Sequence, residues 1–378
     1  MKMKKYYIEL QSKQNAGKGS VWDIFVHPFA SLVTGHWSLA TSLILTFVFL
    51  SLVTGHLPLA NAAFSSKDAG TSGAAFLKIG AGARPNAMGE AYTAVSDDVN
   101  AISWNAAGLS LIKDKNEFIA MRAEMFQDMQ YNYFAFAHPT RSAGTFAIGI
   151  VNFNVADIPQ RSGDTDNPDS TFSSNDTAYT IGYGIKLTAF GLPSQDEEGG
   201  LHLGLALKAI HQTLAGETAN SFGTDIGSLY SFSNIPLNLG LSVQNLGAKV
   251  QYKYESDPLP LTIKVGAAYR MCENWGISGM KNEDGEKNGL LLAVDGDFAR
   301  DSDASASMGM EFARQWSKNV RSAVRAGYRS DRSRQLNGTG SGVSAGAGVS
   351  YKFCTFDFSW TPFGDLGNTF RYSVKLRF

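Results

Sequence analysis

From Asn116 to the last residue, apolar and polar positions alternate with a period of two. The pattern is plainest in Thr369–Phe378. There Phe370, Tyr372, Val374, Leu376 and Phe378 fall on one parity, and Arg371, Ser373, Lys375 and Arg377 on the other. Successive side chains of a strand point to opposite faces, so this stretch predicts a strand with one aromatic face and one cationic face. Leu201, Leu203, Leu205 and Leu207 oppose His202, Gly204, Ala206 and Lys208 in the same way. So do Leu261, Ile263, Val265, Ala267 and Tyr269 against Thr262, Lys264, Gly266, Ala268 and Arg270. Fourteen strands are predicted, at 116–126, 129–138, 143–155, 177–190, 201–214, 220–233, 235–246, 259–271, 288–299, 305–315, 320–330, 341–352, 354–363 and 369–378.

Strands of about ten residues suit a tilted crossing of a bilayer, whereas soluble strands average five or six. The face opposite the apolar one is rich in Gly, Ser, Arg and Asp, too polar for the second dry layer of a sandwich or propeller. An even strand count also fits a bacterial outer-membrane barrel, whose closure removes the edges that lipid cannot hydrogen-bond. The prediction is an all-β chain, a 14-stranded antiparallel transmembrane barrel over 111–378. Parity is then a strong constraint. A one-residue slip of the last strand would put three cations on lipid, at roughly 2–4 kcal/mol for each one near the midplane. With Phe378 at the periplasmic rim, outer loops fall at Ala156–Ser174, Gly247–Asp257 and Asp331–Gly340. Inner connections are tight at Asn234 and Phe353, but long at Gly191–Gly200 and Cys272–Lys287. Ending on an aromatic residue, Phe370, Tyr372, Val374, Leu376 and Phe378 resemble the C-terminal signal read by the barrel-assembly machinery.

The amino end has another texture. No charged residue occurs between Ile24 and Ser66, Leu39–Val53 is strongly apolar, and Lys2, Lys4, Lys5, Lys13 and Lys18 precede it. Ala60-Asn61-Ala62 supplies small residues in A-x-A order, so residues 1–62 read as a signal peptide with a long n-region, cleaved after Ala62. An uncleaved anchor is the competing reading; Gly55, Pro58 and the alanine pair argue against it. Residues 63–110 then form a separate segment, small and polar to Gly73 and helical in character over Ala74–Ser110. Pro85 predicts the first turn of a helix reaching about Val95, with Ala87, Met88, Ala91, Tyr92 and Val95 as its apolar stripe. Ser96-Asp97-Asp98 predicts the cap of a second short turn through Trp104 and Asn105, stopped at Gly108.

Composition agrees with this picture. Charged residues are 18% of the chain, Gly numbers 39 and the formal charge is −1, with no concentrated basic face for a nucleic acid. Cys272 and Cys354 cannot make a multi-bridge scaffold, and several strands separate them, so free thiols are expected. His138, His202 and His211 are scattered without metal-ligand spacing, and neither a G-x-S-x-G elbow nor a P-loop occurs. No enzymatic activity and no cofactor are expected.

Phe76–Ala94, reading F-L-K-I-G-A-G-A-R-P-N-A-M-G-E-A-Y-T-A, resembles the opening of mature PorV/PorQ family proteins. So does Asp98–Leu109, D-V-N-A-I-S-W-N-A-A-G-L, with Ala106 where that family has Pro. The family is similar to FadL-type fourteen-stranded barrels whose N-terminal segment folds into the lumen as a hatch. The resemblance implies an N-terminal helical hatch over 63–110; within it Pro85, Gly89, Trp104, Asn105 and Gly108 are expected to cap, turn and pack, the alternative being direct contact with a ligand. It implies a bacterial outer-membrane protein acting as a secretion shuttle or scaffold for exported cargo, in organisms with a type IX system. A second reading is a conduit for hydrophobic small molecules such as long-chain fatty acids; a third is an outer-membrane enzyme acting on lipid. Outer-membrane lipid and the barrel-assembly machinery are expected partners in each. Inside the barrel, Arg321, Arg325 and Arg329 share a parity, facing Asp295, Asp297 and Asp357. They predict an ionic network in the lumen, and the same charges would equally suit an anionic ligand.

Overall fold

The computed structural model describes residues 69–140, 143–187, 199–271, 289–335 and 342–378. The expected leader and its expected cleavage after Ala62, Cys272, and most of the two long connections expected at the inner rim lie outside these residues. In chain order the strands are β1 (Glu117–Glu124), β2 (Gln130–Pro139), β3 (Thr145–Gln160), β4 (Ser170–Leu187), β5 (Gly200–Leu214), β6 (Glu217–Ser231) and β7 (Leu237–Gly247). A small hairpin, β8 (Val250–Gln251) with β9 (Ser256–Asp257), follows. Then come β10 (Thr262–Met271), β11 (Gly289–Ala299), β12 (Ser305–Ser317), β13 (Val320–Arg329), β14 (Val343–Tyr351), β15 (Cys354–Pro362) and β16 (Asn368–Arg377). All but the hairpin join one closed antiparallel barrel of fourteen strands, each beside its chain neighbour, with β1 pairing β16 from Glu117↔Arg377 to Glu124↔Phe370.

The apolar parity faces outward. Leu203, Leu205 and Leu207 are 40–53% exposed while His202 and Ala206 between them are buried, and on β16 Phe370, Tyr372 and Val374 are exposed around buried Arg371 and Ser373. Near the end that carries Phe378, exposed Phe146, Tyr230, Trp316, Tyr351 and Phe353 form the aromatic girdle of a bilayer interface. Among the described residues no helix is long and apolar enough to cross a membrane. Turn chemistry follows the strand ends. Ala215 and Gly216, at φ +50° and +86°, make the two-residue turn between β5 and β6, a type I′ geometry that needs positive φ at both positions.

One expectation changes here. About half of the outer loop Ala156–Ser174 is strand: β3 runs to Gln160 and β4 starts at Ser170, with a bulge between Val155 and Ile158 where Asp157 has φ +55°. This hairpin carries polar residues on both faces, so hydrophobic alternation could not reveal it. The parity opposite the apolar one faces the interior. It encloses buried clusters built on Tyr92, Trp104, Ile102, Leu109, Tyr131 and Tyr133, and these side chains come from the residues before β1 as well as from the wall.

Candidate functional site

Residues 74–112 run through the interior of the barrel. They contain a 3-10 turn (Ala75–Lys78), α1 (Ala83–Ala87), α2 (Ala101–Trp104) and a second 3-10 turn (Ala106–Leu111). The helix expected to continue to Val95 ends at Ala87. Gly89 and Glu90 take φ +65° and +69°, which no continuing helix allows. A Cβ at Gly89 would sit 2.6 Å from the Tyr328 backbone nitrogen, so this turn needs glycine for room as well as for φ. Pro85 anchors the same turn, its carbonyl accepting from Met88 N–H at 3.1 Å and Glu90 N–H at 3.0 Å. The second turn is also rearranged. α2 starts after Asn100, whose N–H donates to Asp98 Oδ1 at 3.0 Å, and Asn105 caps the following 3-10 turn through Ala107 N–H. Gly108 lies inside that turn instead of stopping it; a Cβ there would meet Ser96 O at 1.9 Å.

On one side the wall receives this segment through missing side chains. Gly184, Gly204 and Gly227 lie side by side on β4, β5 and β6. A Cβ on Gly204 would be 2.1 Å from the Ala106 carbonyl carbon, and one on Gly227 2.1 Å from Asn105 Oδ1. The adjoining contacts are apolar or neutral: Ile102 packs over Gly149 and Gly182, Asn105 Nδ2 donates to Ser228 O at 3.0 Å, and Gln244 Nε2 to Trp104 O at 2.6 Å. Trp104 Nε1 in turn donates to Ala81 O at 2.9 Å.

On the other side the contacts are ionic. Arg84 grips Glu311 on β12 with two hydrogen bonds, of 2.7 and 3.0 Å, and reaches Asp97 at 2.5 Å. Glu311 also accepts from Arg325 at 2.6 Å, and Arg325 pairs with Asp357 at 2.7 Å, so a buried chain of charges links α1 to β12, β13 and β15. Lys375 reaches Asp98 at 3.0 Å. Arg329 and Arg332 both bind Glu90, and Arg329 pairs with Asp297 at 3.2 Å beside Lys264 at 2.8 Å. Asp295 accepts from the Tyr92 and Thr93 N–H groups, at 2.9 and 2.8 Å. Burial pushes the Glu90 carboxyl up, but the Arg329 and Arg332 guanidiniums outweigh it and hold it at about 2. Asp98 is likewise held below the usual carboxylate range by Lys375 and Arg84 against its burial.

The structure thus joins Arg325 to Asp357 and Arg329 to Asp297, and gives Asp295 to the internal segment. Arg321 lines the cavity at the chain-terminal end. Sequence reading missed Arg84, Glu90, Asp98, Glu311 and Lys375. For Arg84, Glu90 and Asp98 the available signal was the presence of charges inside the Gly- and Ala-rich Ala74–Ser110 run; for Glu311 and Lys375 it was their place on the polar parity of their strands.

Two cavities flank the segment. One of about 800 Å³ opens toward the chain-terminal end, among Lys115, Lys318, Lys352 and the Arg84–Asp98 face of the segment. The other, about 450 Å³, lies toward the opposite end among Met125, Phe126 and Phe363, with Leu77–Ala81, Glu90 and Trp104 as the segment's contribution. Among the described residues, Ser110 Oγ lies 2.6 Å from His202 Nδ1 in the interior and donates to Ala107 O. Among the described residues nothing partners His202 Nε2, so this pair lacks the orienting carboxylate of a hydrolytic triad.

The family model for type IX secretion system protein PorV matches residues 62–275, more than half of the chain, and spans the internal segment and half the wall. The chain belongs to the PorV family. This PorV-family barrel is a protein of the bacterial outer membrane, where its exposed apolar band meets lipid. No curated protein matches the chain. Among solved structures, it is similar to the toluene transporter TbuX of Ralstonia pickettii, with 13% identity, TM-score 0.47, and coverage of 79% of this chain and 97% of that one. The toluene transporter TodX of Pseudomonas putida gives 12%, 0.47, 79% and 96%. The monoaromatic hydrocarbon channel CymD gives 10%, 0.49, 79% and 97%.

Proposed function

We propose that this PorV-family protein is a non-enzymatic surface component of protein export, a shuttle or scaffold for cargo in a type IX-like system. Its working surface is the barrel's rim and loops, while residues 63–110 serve as a hatch that keeps the lumen shut. The observation that carries this reading is the double attachment of the internal segment, by close backbone packing on one side and buried ion pairs on the other. A pore obstructed at mid-height by so many contacts suits a docking platform better than an open channel. The reading includes removal of residues 1–62 on export and recognition of Phe370, Tyr372, Val374, Leu376 and Phe378 by the barrel-assembly machinery. Loss of the protein from its native cell should strand exported proteins in the periplasm, measured by comparing surface, medium and periplasmic fractions. Unchanged fractions would remove the export role.

The second reading, a conduit for hydrophobic small molecules, is favoured by the partly apolar 450 Å³ cavity. Uptake of a hydrophobic dye by vesicles containing the purified barrel tests it. Uptake no faster than in empty vesicles would sink it.

A further inference from the structure

The larger cavity, of about 800 Å³ at the chain-terminal end, carries an imbalance of charge. Among the described residues that line it are nine basic side chains against five carboxylates, a formal excess of four positive charges. The imbalance grows toward water. Four of the carboxylates, Asp98, Glu117, Glu311 and Asp357, are at most 4% exposed, so of the five only Asp97 reaches the opening. Three of the cations, Arg84, Arg325 and Lys375, are taken up with those carboxylates in the ionic attachment of the internal segment. The other six, Lys115, Arg270, Lys318, Arg321, Lys352 and Arg377, are half-buried or exposed. Arg270 meets Asp97 at 2.9 Å and Arg377 meets Glu117 at 3.5 Å. The described lining that water reaches thus holds six cations and one carboxylate. Low-dielectric walls around a concave site of one sign concentrate its field, so this opening attracts anions.

The placement of the six decides the kind of anion. Lys115 lies just before β1, Arg270 on β10, Lys318 between β12 and β13, Arg321 on β13, Lys352 between β14 and β15, and Arg377 on β16. They therefore follow the rim from β10 round to β1, an arc of seven strand spacings. Neighbouring strands lie about 4.8 Å apart, which makes this arc on the order of 30 Å. No single phosphate or carboxylate spans it. Between the cations the lining offers Asn319, Ser350 and Thr355, whose amide and hydroxyls can hydrogen-bond a polypeptide backbone. We propose that this end of the barrel binds an extended acidic peptide segment of a periplasmic protein, its carboxylates held by the rim cations and its backbone by the neutral polar groups. The site rests on neither the export nor the conduit reading. It needs only that the end carrying Phe378 faces the periplasm.

A fluorescent peptide of alternating Glu and Gly, and its Gln–Gly counterpart, are titrated by anisotropy against the folded full chain in a non-ionic detergent. The wild type is compared with two triple variants. One, Lys318→Gln with Arg321→Gln and Lys352→Gln, strips the rim. The other, Arg161→Gln with Lys249→Gln and Lys253→Gln, removes the same charge from exposed positions at the opposite end. The wild type should bind the acidic peptide, more weakly as salt is raised, and should not bind the Gln–Gly peptide. The rim variant should weaken binding at least tenfold and the opposite-end variant less than twofold. Equal weakening by the two variants overturns the proposal, because the peptide would then be answering net charge alone. So does a wild type that binds both peptides alike or neither. Inorganic tripolyphosphate that displaces the labelled peptide at lower concentration than unlabelled acidic peptide does overturns the peptide assignment. Should the rim triple fail to fold, Lys318→Gln and Lys352→Gln singly, each weakening binding roughly threefold, decide the matter.

Discussion

On the β4–β6 side of the lumen the internal segment is received by backbone, methyl groups and a carboxamide; on the β12–β16 side it is received by guanidinium, ammonium and carboxylate. Glycines admit the chain on both sides, since Gly327 of β13 would place a Cβ 2.0 Å from Gly89 N–H nitrogen just as Gly204 would crowd Ala106. What differs is the chemistry around them. The glycine side works by shape: it tolerates no added atom and is indifferent to charge. The ionic side works by compensation, and each buried charge depends on its partner, because removing one leaves the other desolvated and unpaired. A packed contact fails gradually with volume; a buried ion pair fails at once when one member goes.

The broadest test removes both attachments together. Deleting Pro85–Gly108 should leave a heat-modifiable barrel that conducts in planar bilayers where the intact protein does not. Unaltered conductance would mean that the wall closes the lumen without help. On the ionic side alone, Glu311→Ala strands Arg84 and Arg325 and should cost about 3–5 kcal/mol in denaturant unfolding. A loss below ~1 kcal/mol would show that water or Asp97 and Asp357 take over. On the glycine side alone, Gly204→Val should cost about 1–3 kcal/mol by overpacking and should displace Ala106–Leu109, with no dependence on salt or pH. If its melting point moves with salt as that of Glu311→Ala does, the two sides are not distinct.

Acid sharpens the contrast further. The Glu90 carboxyl is depressed in the folded state, so its contribution is complete above its ordinary value near 4.5 and is lost as pH falls toward 2. Wild-type stability should therefore drop across that window, and Glu90→Gln should be less stable at pH 7 and flatter below 4.5. Parallel pH profiles for the two would remove Glu90 from the tether. The smallest effect on folded stability is expected at the seam. Phe378 pairs with Asn116 through two backbone hydrogen bonds, of 2.7 and 3.0 Å, while its ring is exposed. Phe378→Ala should slow assembly in the outer membrane, seen as the heat-modifiable fraction, yet leave the unfolding free energy of assembled protein within about 1 kcal/mol of wild type. Normal assembly would count against a terminal signal.

The legible part of this molecule was the part in contact with lipid. Alternation in Leu201–Lys208 or Phe370–Arg377 could be read because a bilayer forces every outward position to be apolar. Where that force ends, alternation carries no signal: the β3–β4 hairpin runs past the membrane on polar residues, a composition that also suits a loop. The internal segment was recognisable as a separate, weakly helical run, but its path was not. Pro85 and the apolar stripe to Val95 are consistent with a helix, and only the crowding of Gly89 against Tyr328 and the reach of Glu90 to Arg329 and Arg332 break it. Arg325 and Asp357 could be paired by parity. Glu311 could not, because its decisive partner Arg84 lies 227 residues away in a segment whose depth in the lumen no local pattern encodes.

The sequence by itself determined which face of each strand meets lipid, the number of strands and the presence of an inner segment before them. The first two rest on short-range periodicity that the membrane enforces residue by residue, and the third on the change of texture before Asn116. Only the tertiary structure decided which glycines stand beside which backbone atoms and which carboxylate answers which guanidinium. Those facts depend on the stagger of fourteen closed strands and on the height at which a 39-residue insert comes to rest among them.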